Sequence, residues 1–157
     1  MTERELEDYL AGQDFFSGLE PESLAFLAGC ATRRPVERGE TLFRHGEDAR
    51  RFFLLCSGRV SIEIPAIEGP RLEVQSLGAG KVLGWSWLIP PYKWSFQARA
   101  LEASEVIEFD GERVRARCEE DPAFGYAMLK RFSALMSERL EAARQRMMDE
   151  WNPPGFA

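Results

Sequence analysis

GAGKVLGWSWLIPPYKWSFQARA, residues Gly78 to Ala100, is the one stretch of this 157-residue chain whose composition suits neither an ordinary strand nor an ordinary helix. Three of the four tryptophans lie in it. Gly78, Gly80 and Gly84 open backbone conformations closed to other residues, and Pro90-Pro91 stops any helix begun over Trp85 to Ile89. The stretch reads as turn, strand, one helical turn and loop, re-entering a strand at Phe96 to Ala100. A glycine loop opening into a helical turn presents unpaired N–H groups to an anion, and Lys93 adds a side-chain charge. The competing reading is a tryptophan-rich corner that closes a β-barrel and binds nothing.

Working outward, residues 31–109 are short apolar runs separated by glycine and charge, the grammar of many short strands. Val36, Thr41 to Phe43, Phe52 to Cys56, Arg59 to Ile64, Leu72 to Leu77, Phe96 to Ala100 and Glu105 to Phe109 are the candidate strands. Gly39, Gly46, Gly58 and Gly69-Pro70 mark turns. Val60, Ile62 and Ile64 alternate with Arg59, Ser61 and Glu63, which predicts one face to a core and one to water. Glu63, Glu73, Glu105 and Glu108 are accordingly expected on outer faces.

The flanks are helical. Glu3 to Ala11 has helical composition, Phe15-Phe16 forms an apolar hook, and Pro21 starts a helix that ends near Gly29 with Leu24, Leu27 and Ala28 on one face. Asp110 caps a helix through Cys118, and Asp121-Pro122 starts another that runs to about Met148. Along it Tyr126, Leu129, Ser133, Met136, Leu140, Ala143 and Met147 repeat at 3,4 spacing. That seam fits packing on the chain's own barrel or pairing with a second copy through Tyr126, Leu129, Met136 and Leu140. Arg131, Glu138, Arg139 and Glu141 fall on other faces. The expected organisation is one domain over residues 1–157: a helical part at 12–30, a β-roll at 31–109, helices at 110–148 and a tail at 149–157, where Asn152-Pro153-Pro154-Gly155 ends regular structure.

A formal net charge of -6 disfavours nucleic acid as the main partner. Cys30, Cys56 and Cys118 are widely spaced and form no CxxC pair, so buried or partly buried free thiols are expected rather than a disulfide framework or a metal cluster. His45, the single histidine, sits in the turn Arg44-His45-Gly46 and reads as a solvated residue. One histidine cannot supply the ligand set of a metal-dependent β-helix enzyme, and no Ser/His/Asp or Cys/His arrangement stands out, so no catalysis and no metal are expected. No run reaches the ~20 apolar residues of a membrane span, and a cytoplasmic protein without membrane partners is expected.

Helices, a run of strands, a glycine-opened cassette and a long terminal helix, over roughly Phe15 to Met148, resemble a known family. The carrying residues are Gly39-Glu40-Thr41-Leu42-Phe43, Gly46-Glu47, Phe53-Leu54-Leu55 and Gly58-Arg59-Val60, with Gly78 and Gly84 at the entry to the cassette. The family is the cyclic nucleotide-binding domain of catabolite-activator-like regulators and kinase regulatory subunits. The resemblance implies a mainly β fold with flanking helices: a double-stranded β-helix, or jelly roll, with a long C-terminal helix. It also implies a ligand site at Gly84, Trp85, Ser86, Lys93, Trp94 and Ser95. Two positions depart from the pattern. Trp85 stands where nucleotide-binding members carry the ribose-binding glutamate, and Trp94, beside Lys93, stands where they carry the phosphate-binding arginine.

A regulatory module follows from the resemblance, with no cofactor beyond a cyclic nucleotide or another planar or anionic effector, and with its signal passed through the terminal helix. The alternative is a ligand-free interaction domain whose tryptophans fill the cassette. A homodimer and a protein partner are expected. Only nine residues follow Met148, two of them proline, so no DNA-reading element is expected in this chain.

Overall fold

The computed structural model describes residues 1–65 and 71–150. The Gly69-Pro70 turn and the Asn152 to Gly155 stop lie outside the described residues. The N-terminal helices are α1 (Glu3–Ala11) and α2 (Pro21–Gly29). Eight strands follow: β1 (Ala31–Val36), β2 (Thr41–Phe43), β3 (Arg51–Ser57), β4 (Val60–Ile64), β5 (Leu72–Leu77), β6 (Val82–Leu83), β7 (Gln97–Ala100) and β8 (Ser104–Asp110). Helices α3 (Gly111–Glu120) and α4 (Pro122–Glu150) close the chain. Thr2 Oγ1 accepts the Glu5 N–H and Asp110 caps α3 by accepting the Arg113 N–H, so both helix starts satisfy an orphan donor locally.

The strands form two antiparallel four-stranded sheets, ordered β1-β8-β3-β6 and β2-β7-β4-β5. Neighbours in the sheets are mostly not neighbours in sequence, which is the crossing pattern of a jelly roll. Between the sheets lies an apolar core, extended by Phe16, Trp87 and Phe132, over which α4 packs. Strand β1 begins at Ala31, five residues ahead of the apolar signal at Val36. Among the described residues it pairs only with β8, as an edge strand, so Pro35 needs no ladder N–H; Arg33 is exposed, while Arg34, on the opposite face, is half-buried against Glu40 and Glu108.

Three expectations are overturned. Ser61 and Glu63 do not face water: they are 0% and 3% exposed. Strand β4 is central, between β7 and β5, and the long polar side chains of its neighbours roof its outer face. Glu63 accepts from Gln97 Nε2 at 3.0 Å and Arg99 Nη2 at 2.9 Å, while Ser61 donates to Glu73 at 2.6 Å. Burial pushes the Glu63 carboxyl up, but the Arg99 and Gln97 hydrogen bonds outweigh it and hold it below the usual carboxylate range.

The second correction concerns α4, where the reading of the 3,4 seam as the barrel-packing face fails and its pairing with a second copy is left open. Its buried side is Phe124, Met128, Phe132, Leu135, Arg139 and Ala143, whereas Tyr126 and Leu140 of the seam are 67% and 70% exposed. Leu129 and Met147 are exposed too, and Met136 is half-buried. The helix carries two apolar stripes at near-helical spacing, and the one with the phenylalanines takes the barrel because it buries more area. Arg139 lies in that stripe and is 2% exposed, instead of occupying a solvent face. Third, Trp85 to Ile89 forms a turn closed by one bond, Leu88 N–H to Trp85 O at 3.0 Å, and no helix.

Candidate functional site

Strand β6 delivers the chain into a loop that places two tryptophans in different surroundings. Trp87 enters the core, stacked on Phe52 (4.7 Å, 22°) and edge-on to Phe132 of α4 (5.0 Å, 81°), and its Nε1–H donates to Gly84 O at 3.2 Å. Helix α3 grips this part of the loop: Arg115 Nη1 donates to Trp87 O at 2.8 Å, and its guanidinium lies 4.0 Å from the centroid of the Tyr92 ring.

Trp94 is carried back over the barrel by a second segment. Trp94 N–H donates to Glu47 O, Gly46 N–H to Trp94 O, and Ala49 N–H to Tyr92 O, at 3.0, 2.9 and 2.8 Å. This zip between the 44–49 turn and residues 92–94 lays the indole flat on Phe43, with centroids 3.9 Å apart at 15°. Trp94 is 6% exposed. On its other side stands Gly84 at φ +93°, where a Cβ would lie 2.8 Å from the indole ring. Glycine is required there twice over, by backbone conformation and by the approach of the ring.

Gly84, Trp85, Ser86 and Trp94 thus converge, together with Phe43, Ile62, Phe96 and Arg139, around a cavity of only about 10 Å³. That is at the lower limit for one water molecule. Trp85 meets Phe96 edge-on at 5.4 Å, and Ser86 is buried beside it. Lys93 and Ser95 lie outside this cluster. Lys93 is exposed and ion-paired with Asp48, whose carboxyl is held below its ordinary range first by that hydrogen bond. Ser95 is exposed.

Among the described residues Arg139 is the cluster's one charged side chain. Its Nη2 donates to Val82 O on β6 and its Nη1 to Gln75 Oε1 on β5, both at 2.9 Å. The Glu138 carboxylate is 3.6 Å away and itself accepts from Gln75 Nε2 at 3.1 Å. Burial lowers the Arg139 pKa, yet a guanidinium starts high enough to stay charged. A signal for it existed: Arg139 follows Phe132 by seven residues and Leu135 by four, in register with the buried stripe.

Elsewhere the chemistry is sparse. His45 is exposed in its turn, and among the described residues no cluster of histidine, cysteine and carboxylate could hold a metal ion. Cys30, Cys56 and Cys118 are free, and burial pushes the Cys118 thiol up to about 11, away from thiolate reactivity. No described helix is long and apolar enough to cross a membrane.

Comparison with known proteins places this geometry. Residues 33–121 match the family model of the cyclic nucleotide-binding domain. The chain is 22% identical over 144 residues to the CRP-like cAMP-activated global transcriptional regulator of Mycobacterium tuberculosis, covering 92% of this chain and 62% of that protein. It is 34% identical over 104 residues to acetyltransferase Pat of Mycolicibacterium smegmatis, covering 66% of this chain and 30% of that enzyme. The chain therefore spans less than two thirds of either relative. A cyclic nucleotide-binding domain from Methylobacillus flagellatus shares the fold at a TM-score of 0.75 and 16% identity, over 94% of this chain and 83% of that one.

Proposed function

The chain belongs to the cyclic nucleotide-binding domain family, and from that premise we propose that it is a non-catalytic regulatory module whose cassette is closed by its own Trp94 and whose output face is α4. The observation that carries this reading is the cavity of about 10 Å³ between Gly84, Trp94 and Arg139. Ligand sites of the usual kind run to several hundred Å³, so a nucleotide enters only if the indole leaves. The positions that match the family's glutamate and arginine hold Trp85 and Trp94, which removes both charged contacts to a cyclic nucleotide. Each such contact contributes roughly 1.5–3 kcal/mol, enough together to move a micromolar site towards millimolar.

Helix α4 suits the output role because one of its faces is bound and the other free. Phe132, Leu135 and Arg139 hold it to the barrel, while Tyr126, Leu129, Leu140 and Met147 leave an apolar stripe in water. A second copy of the chain covers that stripe in a two-fold dimer. The three free thiols suit a reducing compartment such as the cytoplasm.

Calorimetry with cyclic AMP and light scattering test the two halves. No micromolar heat is expected from cyclic AMP; micromolar binding would sink the closed cassette. The unaltered chain is expected to scatter as a dimer, and Met136→Glu with Leu140→Glu as a monomer. A monomer at high micromolar concentration before any substitution would remove the dimer.

A further inference from the structure

We infer that Arg139 makes α4 part of the cassette's binding site, and that this site takes a flat aromatic carboxylate or phosphate ester small enough to stand where the Trp94 indole stands. The inference rests on the reading that Trp94 is a removable occupant of the cassette.

Two surfaces define the ligand. The first is the face of Phe43, which the Trp94 indole covers in a near-parallel stack, with the edge-on pair of Trp85 and Phe96 also lining the cavity. A slot that accepts an indole in this way accepts another flat ring. The second is Arg139, a side chain that lines the same cavity and is 2% exposed. Its close hydrogen bonds go to an amide oxygen and a main-chain carbonyl, both neutral. The nearest carboxylate, Glu138, stands 3.6 Å off with its side chain 45% exposed, and it is shared with Gln75. Among the described residues no carboxylate lines the cavity. A buried guanidinium flanked by neutral acceptors is under-neutralised, and its planar fork matches a carboxylate or phosphate in two parallel hydrogen bonds.

The placement also supplies a route to α4. Gln75 holds both Glu138 and Arg139, so it ties β5 to two consecutive residues of the helix. An anion that engages Arg139 competes with Gln75 Oε1 and Val82 O, two of the contacts that pin this part of α4 to the barrel. Ligand entry and helix release therefore draw on the same side chain.

The first experiment empties the slot. In Trp94→Ala, calorimetry compares indole with indole-2-, indole-3- and indole-5-carboxylate, and with phenyl phosphate. At least one anion should bind tenfold or more tightly than indole, and the advantage should vanish in Trp94→Ala with Arg139→Gln. Phenyl phosphate or a carboxylate leading the series assigns the anion's source. If indole binds and no anion does better, or if the advantage survives without Arg139, the inference is overturned while the closed cassette stands. If the folded variant binds neither indole nor its carboxylates, the closed cassette itself falls. The second experiment covers a variant that fails to fold and uses the unaltered chain. Millimolar benzoate or phenyl phosphate should shift the Trp94 indole N–H resonance and raise Tm, and Arg139→Gln should abolish both changes. Resonances that stay still with Arg139 present overturn the inference.

Discussion

Trp87 and Trp94 leave the same loop and reach two aromatic stacks that differ in what surrounds them. Trp87 joins Phe52, Phe109 and Phe132, with Phe52 and Phe109 parallel at 4.4 Å and Phe132 edge-on to Phe52 at 5.2 Å. Its one polar atom is satisfied by Gly84 O within the loop. Trp94 joins Phe43 and, beyond it, Phe53, with the Phe rings 6.1 Å apart. Its cavity also holds a buried guanidinium and a glycine at φ +93°. Both indoles are buried, so burial does not separate the two. What separates them is that α4 packs an aromatic side chain, Phe132, on Trp87 but brings a charged one, Arg139, to the cavity of Trp94. The first is a core residue; the second fills a space that has the furniture of a site.

Truncation sharpens this contrast most. Trp87→Ala should destabilise the fold by about 4–5 kcal/mol, or prevent folding, because its stack joins β3, β8 and α4 in one packed unit. Urea denaturation measures it. Trp94→Ala should cost about 3 kcal/mol in the same assay, since the indole lies over the barrel's edge with a sliver in water. Equal losses at the two positions would break the distinction between core and occupant.

Gly84→Ala comes next. A Cβ there forces the Trp94 ring to move and strains the backbone, for a loss of about 2 kcal/mol. In the Trp94→Ala background the clash is gone and only the backbone strain remains. A double-mutant cycle should therefore show a coupling of about 1 kcal/mol, and additive losses would mean that Gly84 does not fit itself to Trp94. Smallest is the effect of cyclic AMP: at millimolar concentration Tm should rise by less than about 2 °C, given an affinity no better than millimolar. A larger rise would show that the cassette opens without help.

The order and type of the elements were legible because their signals are local. Asp110 and Pro21 mark helix starts through their own side chains, Gly39, Gly46 and Gly58 mark turns through positive φ, and the short apolar runs keep strand length. The seven named strand runs and the long terminal helix gave a β-rich centre with helical flanks for the same reason, while the jelly-roll architecture came from the family resemblance. Gly84 and Trp94 are assigned to the cassette through that resemblance, by their match to its glycine and arginine positions.

Partnership across the fold was not legible, because a residue's own neighbours in sequence do not encode it. Alternation along β4 predicted a wet Glu63, but whether an outer face is wet depends on what β5 and β7 lay over it, and Arg99 and Gln97 cover it. The 3,4 repeat in α4 was real, yet a helix with two apolar stripes leaves the choice of face to the area each would bury, and the phenylalanines won. That choice turned Arg139 from a surface charge into the cassette's buried cation. The sequence by itself determined that three tryptophans would stand in a glycine-opened loop between β6 and β7; only the packing of α4 and the closure of the 44–49 turn decided that Trp87 became core and Trp94 an occupant, since burial is a property of the surfaces that meet and not of the chain that carries them.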